Sequence, residues 1–311
     1  MTGPVSSLDT VPSQDGWSWI PPQTARLGSD AHYPEEAPVH EATVDGFWIQ
    51  RHQVTNTQFA EFVAATDYVT IAERPLDPAQ FPGAPKENLV PGSMVFTRTV
   101  GPVDLRHLSQ WWTWTPGACW NHPRGPKSSL RNREDHPVVH IAFDDAQAYA
   151  SWAGLALPTE AQWETAARGG LAHTTFTWGD EPEQPGHRRA NYWHGEFPYL
   201  PDTGYGTTTP VGSFPANGYD LFDMAGNVWE WTTDWYGEDR AAAPCCAGDS
   251  RDPQSGVPRR VIKGGSFLCA DNYCMRYRPA ARRPQQIDTG MSHIGFRCIT
   301  TQPGGHHDPT L

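Results

Sequence analysis

The sequence predicts a single α+β domain in which regular secondary structure is sparse, and three observations carry that expectation. Among 311 residues, 29 Gly and 30 Pro are spread over most of the length, so turns are frequent and elements short. No composition break or internal repeat marks an interdomain linker, while 38% apolar residues suffice for one sizeable core. The few periodic stretches mix helical spacing with short alternating runs.

Residues 1–16, rich in Pro, Ser, Gly and Asp, are expected to form a flexible lead-in, with order beginning at Trp17-Ser18-Trp19-Ile20. Alternation over 44–54 predicts a strand carrying Phe47, Trp48 and Ile49. A capping box, Thr55 with Gln58, then opens a short amphipathic helix through Phe59, Phe62 and Val63. From 75 to 137 nothing periodic survives, and the cluster Trp111-Trp112-Thr113-Trp114 stands in a loop of the kind that is functional or packed by its own side chains. Residues 136–141 read as a strand and 144–153 as a helix. A second capping box, Thr159 with Gln162, starts a helix that stops at Gly169-Gly170. Short strands and loops follow to Cys298, and 303–311, rich in His, Gly and Pro, form a flexible tail.

A formal net charge of −12, from 23 basic and 35 acidic side chains, repels nucleic acid and anionic lipid and favours basic partners such as an arginine-bearing peptide. No apolar run is long enough to span a membrane and the first residues lack the pattern of a signal peptide, so a cytoplasmic protein is expected. Six cysteines are too few for a disulfide scaffold in a chain this long, and a reducing compartment keeps most of them as thiols. Adjacent Cys245 and Cys246 have no metal-ligand spacing.

The most informative stretch is Gly264-Gly265-Ser266-Phe267-Leu268-Cys269-Ala270-Asp271-Asn272-Tyr273-Cys274-Met275-Arg276-Tyr277-Arg278. Two thiols so close in sequence form a metal clamp, a redox couple or a structural bridge. Arg276 and Arg278 offer positive charge to a thiolate, or else anchor irregular backbone through their several donors. Ser266 and Tyr273 supply hydroxyls beside the sulfurs.

Several motifs coincide around that stretch: His136-Pro137-Val138-Val139-His140, Leu157-Pro158-Thr159-Glu160-Ala161-Gln162-Trp163-Glu164, Ala225-Gly226-Asn227-Val228-Trp229-Glu230-Trp231, Lys263-Gly264-Gly265-Ser266 and Gly295-Phe296-Arg297-Cys298. In order and spacing they resemble the sulfatase-modifying-factor superfamily over residues 17–300. The resemblance implies a C-type-lectin-like α+β fold over 17–302, which by itself leaves function open. Cys269-x4-Cys274 is the discriminating piece, because it resembles the active-site pair of the aerobic formylglycine-generating enzymes. Those oxidise the cysteine of a Cys-x-Pro-x-Arg segment in a sulfatase to Cα-formylglycine with O2 and Cu(I). A bis-thiolate suits Cu(I), which is soft and accepts two ligands, better than zinc, which wants four. The resemblance further implies that the substrate cysteine becomes a third copper ligand, and that loss of hydrogen from its Cβ gives a thioaldehyde that water hydrolyses.

Carried over residue by residue, the resemblance makes Cys269, Cys274, Ser266 and Tyr273 catalytic and gives Trp229, His293 and Arg276 to substrate binding. His293 stands where better-known members carry asparagine, so the site's pH dependence is expected to differ. Calcium is the second implied metal, with Asp223, the carbonyls of Gly226 and Val228, and Glu230 as ligands. A further calcium site would use Asn191, Tyr192, Asp202 and Tyr205, although its loop is shorter than the family's. The cysteine that secretory relatives pair with the equivalent of Cys298 is Ala150 here, so that bridge cannot form. The expected partner is an unfolded or nascent sulfatase, met by a monomer. Two other readings compete: a non-catalytic lectin-like module using the Trp-rich loop, which has no use for the cysteine pair, and a sulfoxide-synthase-type non-haem iron oxidase. The latter needs three histidines from a helical-bundle domain that the residues ahead of Trp17 are not expected to supply.

Overall fold

Two small sheets, three hairpins and three α-helices carry the chain in the computed structural model, which describes residues 15–80, 89–184, 186–237 and 256–301. Residues 1–14 and 303–311 of the expected flexible ends lie outside the described residues, as do Cys245 and Cys246, while the Gly16 carbonyl accepts from Arg51 N–H at 2.9 Å.

One sheet brings the two ends of the domain together. β1 (Trp17–Ile20) and β13 (Ile299–Thr300) flank β4 (Phe47–Gln50), both antiparallel to it. β2 (Gln23–Leu27) and β3 (His40–Val44) form a hairpin beside it. The strand expected over 44–54 is thus two strands, because Asp45 and Gly46 turn the chain from one sheet to another. A Cβ on Gly46 would lie 2.5 Å from the Trp19 ring, so only glycine lets the turn close against that indole. α1 (Asn56–Thr66) starts where expected: Thr55 accepts from the Gln58 amide and Gln58 answers on the Thr55 amide, a cap of about 1 kcal/mol. α2 (Phe143–Trp152) and α3 (Glu160–Ala167) also agree with the sequence, the latter through its Thr159–Gln162 box.

Two expectations fail. The aperiodic 75–137 stretch contains a hairpin, β5 (Gly92–Phe96) with β6 (Trp112–Pro116), whose signal was the Trp-Thr alternation of 112–115 read as loop. Residues 136–141 make no strand. Pro137 forms one bridge to Thr55, Val138 N–H donates to Val54, His140 N–H donates to Met291, and His140 itself takes φ +63°, which ends any ladder. Its apolar run is extended backbone threaded through the core.

The second sheet runs β11 (Arg282–Gln286), β10 (Arg259–Lys263), β9 (Trp229–Trp235), β12 (Ile294–Gly295), with β12 parallel to β9. β7 (Gly195–Glu196) and β8 (Leu200–Pro201) make the last hairpin. The largest apolar cluster joins α1, α2 and β9 through Phe59, Phe62, Tyr149, Trp229 and Phe296, and reaches Cys269 and Cys274. A smaller one, Trp111, Trp193, Phe197, Phe267 and Leu268, covers the other side of the cysteine segment. The core therefore clamps that segment from two sides.

Buried His140 lies between the Ser93 hydroxyl (2.8 Å) and the Pro123 carbonyl (2.9 Å), and burial pushes its pKa down to about 4. The unfolded chain takes that proton near 6.5 and the folded one not until about 4, so stability is expected to fall as pH drops through this window. Urea melts from pH 7 to pH 4.5 check it: the slope should flatten in His140→Gln, and an unchanged slope would rule this histidine out.

Candidate active site

The cysteine segment is shaped by its glycines and by two turns. Gly264 and Gly265 have positive φ, and a Cβ on Gly265 would lie 2.7 Å from the Arg276 carbonyl and 2.9 Å from Tyr277 Cα. The two arms of the segment can approach only without that side chain. Ser266 then closes the first turn: its hydroxyl accepts from Leu268 N–H (3.2 Å) and its carbonyl from Cys269 N–H (2.9 Å). Ala270 closes the second, its carbonyl accepting from both Tyr273 and Cys274 N–H. Together these turns set Cys269 Sγ and Cys274 Sγ 3.7 Å apart.

Both are free thiols, 2% and 6% exposed. Their separation exceeds a disulfide bond by far, yet two metal–thiolate bonds of about 2.3 Å span it. Among the described residues no group of three His, Cys, Asp or Glu side chains gathers to hold a metal, so the thiols would act as a pair rather than as part of a four-ligand cage. That donor set fits Cu(I) and not structural zinc.

Charge favours one thiolate. A hydrogen bond from the Cys269 thiol, opposed by burial and helped by the Arg276 guanidinium 3.6 Å from the sulfur, brings Cys274 down to about 6. Burial pushes Cys269 well above the ordinary thiol range, so the first proton leaves Cys274. Arg276 is held for this task from far away in sequence. Glu35 Oε1 accepts from its Nη2 (2.6 Å) and Nε (3.1 Å), and its guanidinium lies 3.8 Å over the Tyr33 ring. Tyr33 Oη also accepts from Met275 N–H. Arg278 is the anchor instead, ion-paired with Glu36 at 2.5 Å where both are buried. Sequence reasoning found both arginines but not Tyr33, Glu35 or Glu36, because nothing in the spacing links residues more than 240 positions apart.

Tyr273 sits between the cysteines, stacked on Phe197 (4.6 Å) and edge-on to Trp111 (5.7 Å), so its ring is fixed by the aromatic cluster. Trp229 and His293, expected to bind substrate, are both buried, as Ser266 and the two cysteines are. Trp229 is 1% exposed on β9 and shares the apolar cluster that holds Cys269 and Cys274. His293 accepts Trp229 N–H on its carbonyl and lays its ring against Trp112 at 4.7 Å. Burial pushes its pKa well below the usual histidine range, so it stays neutral rather than acting as a switch near pH 7.

The proposed calcium ligands divide. Asn191 and Asp223 each bury a side-chain oxygen without a partner, Oδ1 in both, and hard oxygens of that kind are what calcium satisfies. Glu230 does not fit. Its Oε1 accepts from Gln53 (2.9 Å) and Arg297 (2.8 Å), its Oε2 from Trp163 (2.7 Å) and Arg297 (2.7 Å). Those four bonds fill a carboxylate's lone pairs and already supply a cation. Asp202 is half-exposed and pairs with Arg188 at 3.2 Å, and the same guanidinium covers the Tyr205 ring, so an arginine stands where the second set needs a metal. The two segments do touch: Asn227 N–H donates to the Asn191 carbonyl at 2.7 Å, and Tyr192 stacks on Tyr277 at 4.0 Å.

Known proteins resemble this chain over most of its length. The family model for the sulfatase-modifying factor enzyme 1-like domain matches residues 4–302. A formylglycine-generating enzyme from Mycobacterium tuberculosis is 54% identical over 296 residues, 92% of this chain and 98% of its own. One from Thermomonospora curvata is 46% identical over 288 residues, 90% of this chain and 91% of its own. Among solved structures, PvdO from Pseudomonas aeruginosa superposes with a TM-score of 0.61 over 91% of this chain and 93% of its own, at 23% identity, which bears on the fold alone.

Proposed function

The chain belongs to the sulfatase-modifying factor family and is an oxygen-dependent oxidoreductase converting a sulfatase cysteine to formylglycine, and we propose that Cys269 and Cys274 carry this reaction as the two protein ligands of one Cu(I) ion. The single observation that supports this reading is the buried thiol pair at 3.7 Å with no third protein ligand gathered beside it. Bound there, copper supplies the one-electron chemistry with O2 that oxidises the substrate cysteine at Cβ.

The chain's own residues prepare that chemistry. Cys274 gives up its proton first, and Arg276, fixed by Glu35 and Tyr33, holds the resulting charge. Ser266 keeps Cys269 in register by closing the turn ahead of it. Tyr273 is the partly exposed hydroxyl beside the pair and is proposed to serve the substrate thiol as a hydrogen-bond partner. The aromatic walls exclude water, which strengthens each of these interactions.

The substrate in this reading is an unfolded or nascent sulfatase segment bearing Cys-x-Pro-x-Arg, met by a monomeric catalytic domain of residues 17–302 in the cytoplasm. Four cysteines stay as thiols among the described residues, which suits a reducing compartment, and no described helix is long and apolar enough to cross a membrane. Calcium in this reading is structural and takes Asp223 or Asn191 with neighbouring carbonyls rather than Glu230.

Mass spectrometry of a Cys-x-Pro-x-Arg peptide incubated with the protein, Cu(I), reductant and air tests the reading. Conversion of the cysteine to its aldehyde is expected with copper and not without it; equal conversion by metal-free protein would overturn the copper assignment.

A further inference from the structure

Beside the thiol segment lies a cleft of about 570 Å³ whose charge runs against that of the whole chain. Arg98, Arg124 and Arg133 line it and no carboxylate does, in a protein of net charge −12. Surface arginines in such a protein have carboxylates in abundance to pair with, yet none of these three makes an ion pair among the described residues. Arg133 is the clearest case. It is half-buried, its side-chain partners among the described residues are the hydroxyls of Thr207 and Thr208 at 3.4 Å, and both burial and the neighbouring Arg124 disfavour its charge. Two guanidiniums that line one cleft and disfavour each other's charge are relieved by an anion.

The cleft also adjoins the chemistry. Trp193 lines it, donates its backbone N–H to the Cys269 carbonyl at 2.6 Å and bridges to Ala270; Phe267, two residues before Cys269, lines it too. The Trp193 indole N–H is buried without a partner, one more unused donor in the same wall. A polypeptide whose cysteine reaches the thiol pair has its flanking residues within the span of this cleft, since an extended chain advances about 3.3 Å per residue.

We propose that this cleft is an anion-binding subsite that takes acidic side chains of the substrate polypeptide flanking its reactive cysteine, with Arg98, Arg124 and Arg133 as the recognising groups. This rests on the reading of the chain as an enzyme acting on a protein cysteine. The overall charge of −12 favours an arginine-bearing peptide, and this cleft adds a local patch of the opposite sign for its flanks.

The test measures binding as well as turnover. Fluorescence anisotropy is read for a Cys-x-Pro-x-Arg peptide with Glu residues on both flanks and for its Gln-flanked counterpart, each also in a form with the reactive cysteine replaced by serine so that no turnover is needed. The acidic flanks are expected to tighten binding about tenfold at low salt, the effect of two or three rim-exposed pairs, and most of that gain should vanish at high salt. Arg98→Ala with Arg124→Ala, both exposed positions whose loss leaves the fold intact, should abolish the difference between the two peptides while leaving turnover of the Gln-flanked one in place. Equal affinity of the two peptides for the unaltered protein overturns the proposal. So does inorganic sulfate bound at the cleft without any preference for acidic flanks, which would make it a site for a free anion. Loss of all peptide oxidation would instead count against the enzymatic reading, while the anisotropy of the serine peptides still decides the subsite.

Discussion

Cys269→Ser and Cys274→Ser are each expected to reduce Cu(I) uptake from one ion per chain to none and to bring peptide oxidation to background. The hydroxyl that replaces either thiol is a hard donor with no affinity for Cu(I), and the 3.7 Å pair has no third sulfur to compensate. Loss of a ligand itself should exceed the roughly 10- to 100-fold that removal of an outer partner costs. Arg276→Gln supplies that comparison, because it removes charge from Cys274 without touching either sulfur. Competition with a Cu(I) chelator of known affinity measures uptake independently of activity. Undiminished uptake in the double serine variant would mean that the thiols pair for structural reasons and that copper binds elsewhere.

What could be read in the sequence followed from how local each feature is. Both capping boxes lie within four residues, so Thr55–Gln58 and Thr159–Gln162 were legible and the helices begin where they should. The glycines, serine and cysteines of 264–274 are likewise one continuous loop, and its turns close through contacts two to five residues apart. The groups that give the site its charge are not local. Glu35 reaches Arg276 across 241 residues and Glu36 reaches Arg278 across 242, joined only because β2 and β3 carry their connecting loop over the cysteine segment. Apolar runs misled in the opposite way. Val138-Val139 suggested a strand, but fully buried backbone satisfies its amides with whatever carbonyls surround it, and here these belong to Val54 and Met291 rather than to a neighbouring strand. The calcium set was carried over on residue identity, which cannot reveal that a carboxylate's acceptor positions are already taken.

The largest expected effect on stability falls on the buried ion pair of Glu230 with Arg297. Arg297→Met should destabilise the protein by about 3–5 kcal/mol, because it leaves the fully buried Glu230 carboxylate facing only Gln53 and Trp163. The same guanidinium also donates to the carbonyls of Gln50, Arg51 and Phe222, so its loss loosens the contact of β4 with the 222–230 segment. A fall in melting temperature of about 10 °C is the corresponding readout for a chain of this size. Adding Glu230→Gln to Arg297→Met should recover part of the loss, since the amide oxygen still accepts from Gln53 or Trp163 and no charge remains unpaired. If Glu230 instead bound calcium, the second substitution would deepen the loss, and calcium would no longer raise the melting temperature of the double variant. If the cation partner of Glu230 is Arg297, the double variant keeps whatever calcium response the unaltered protein has, and Asp223→Asn removes it. Melting curves of these variants with calcium and with chelator separate the two cases, because only the ion-pair arrangement lets the second substitution restore stability.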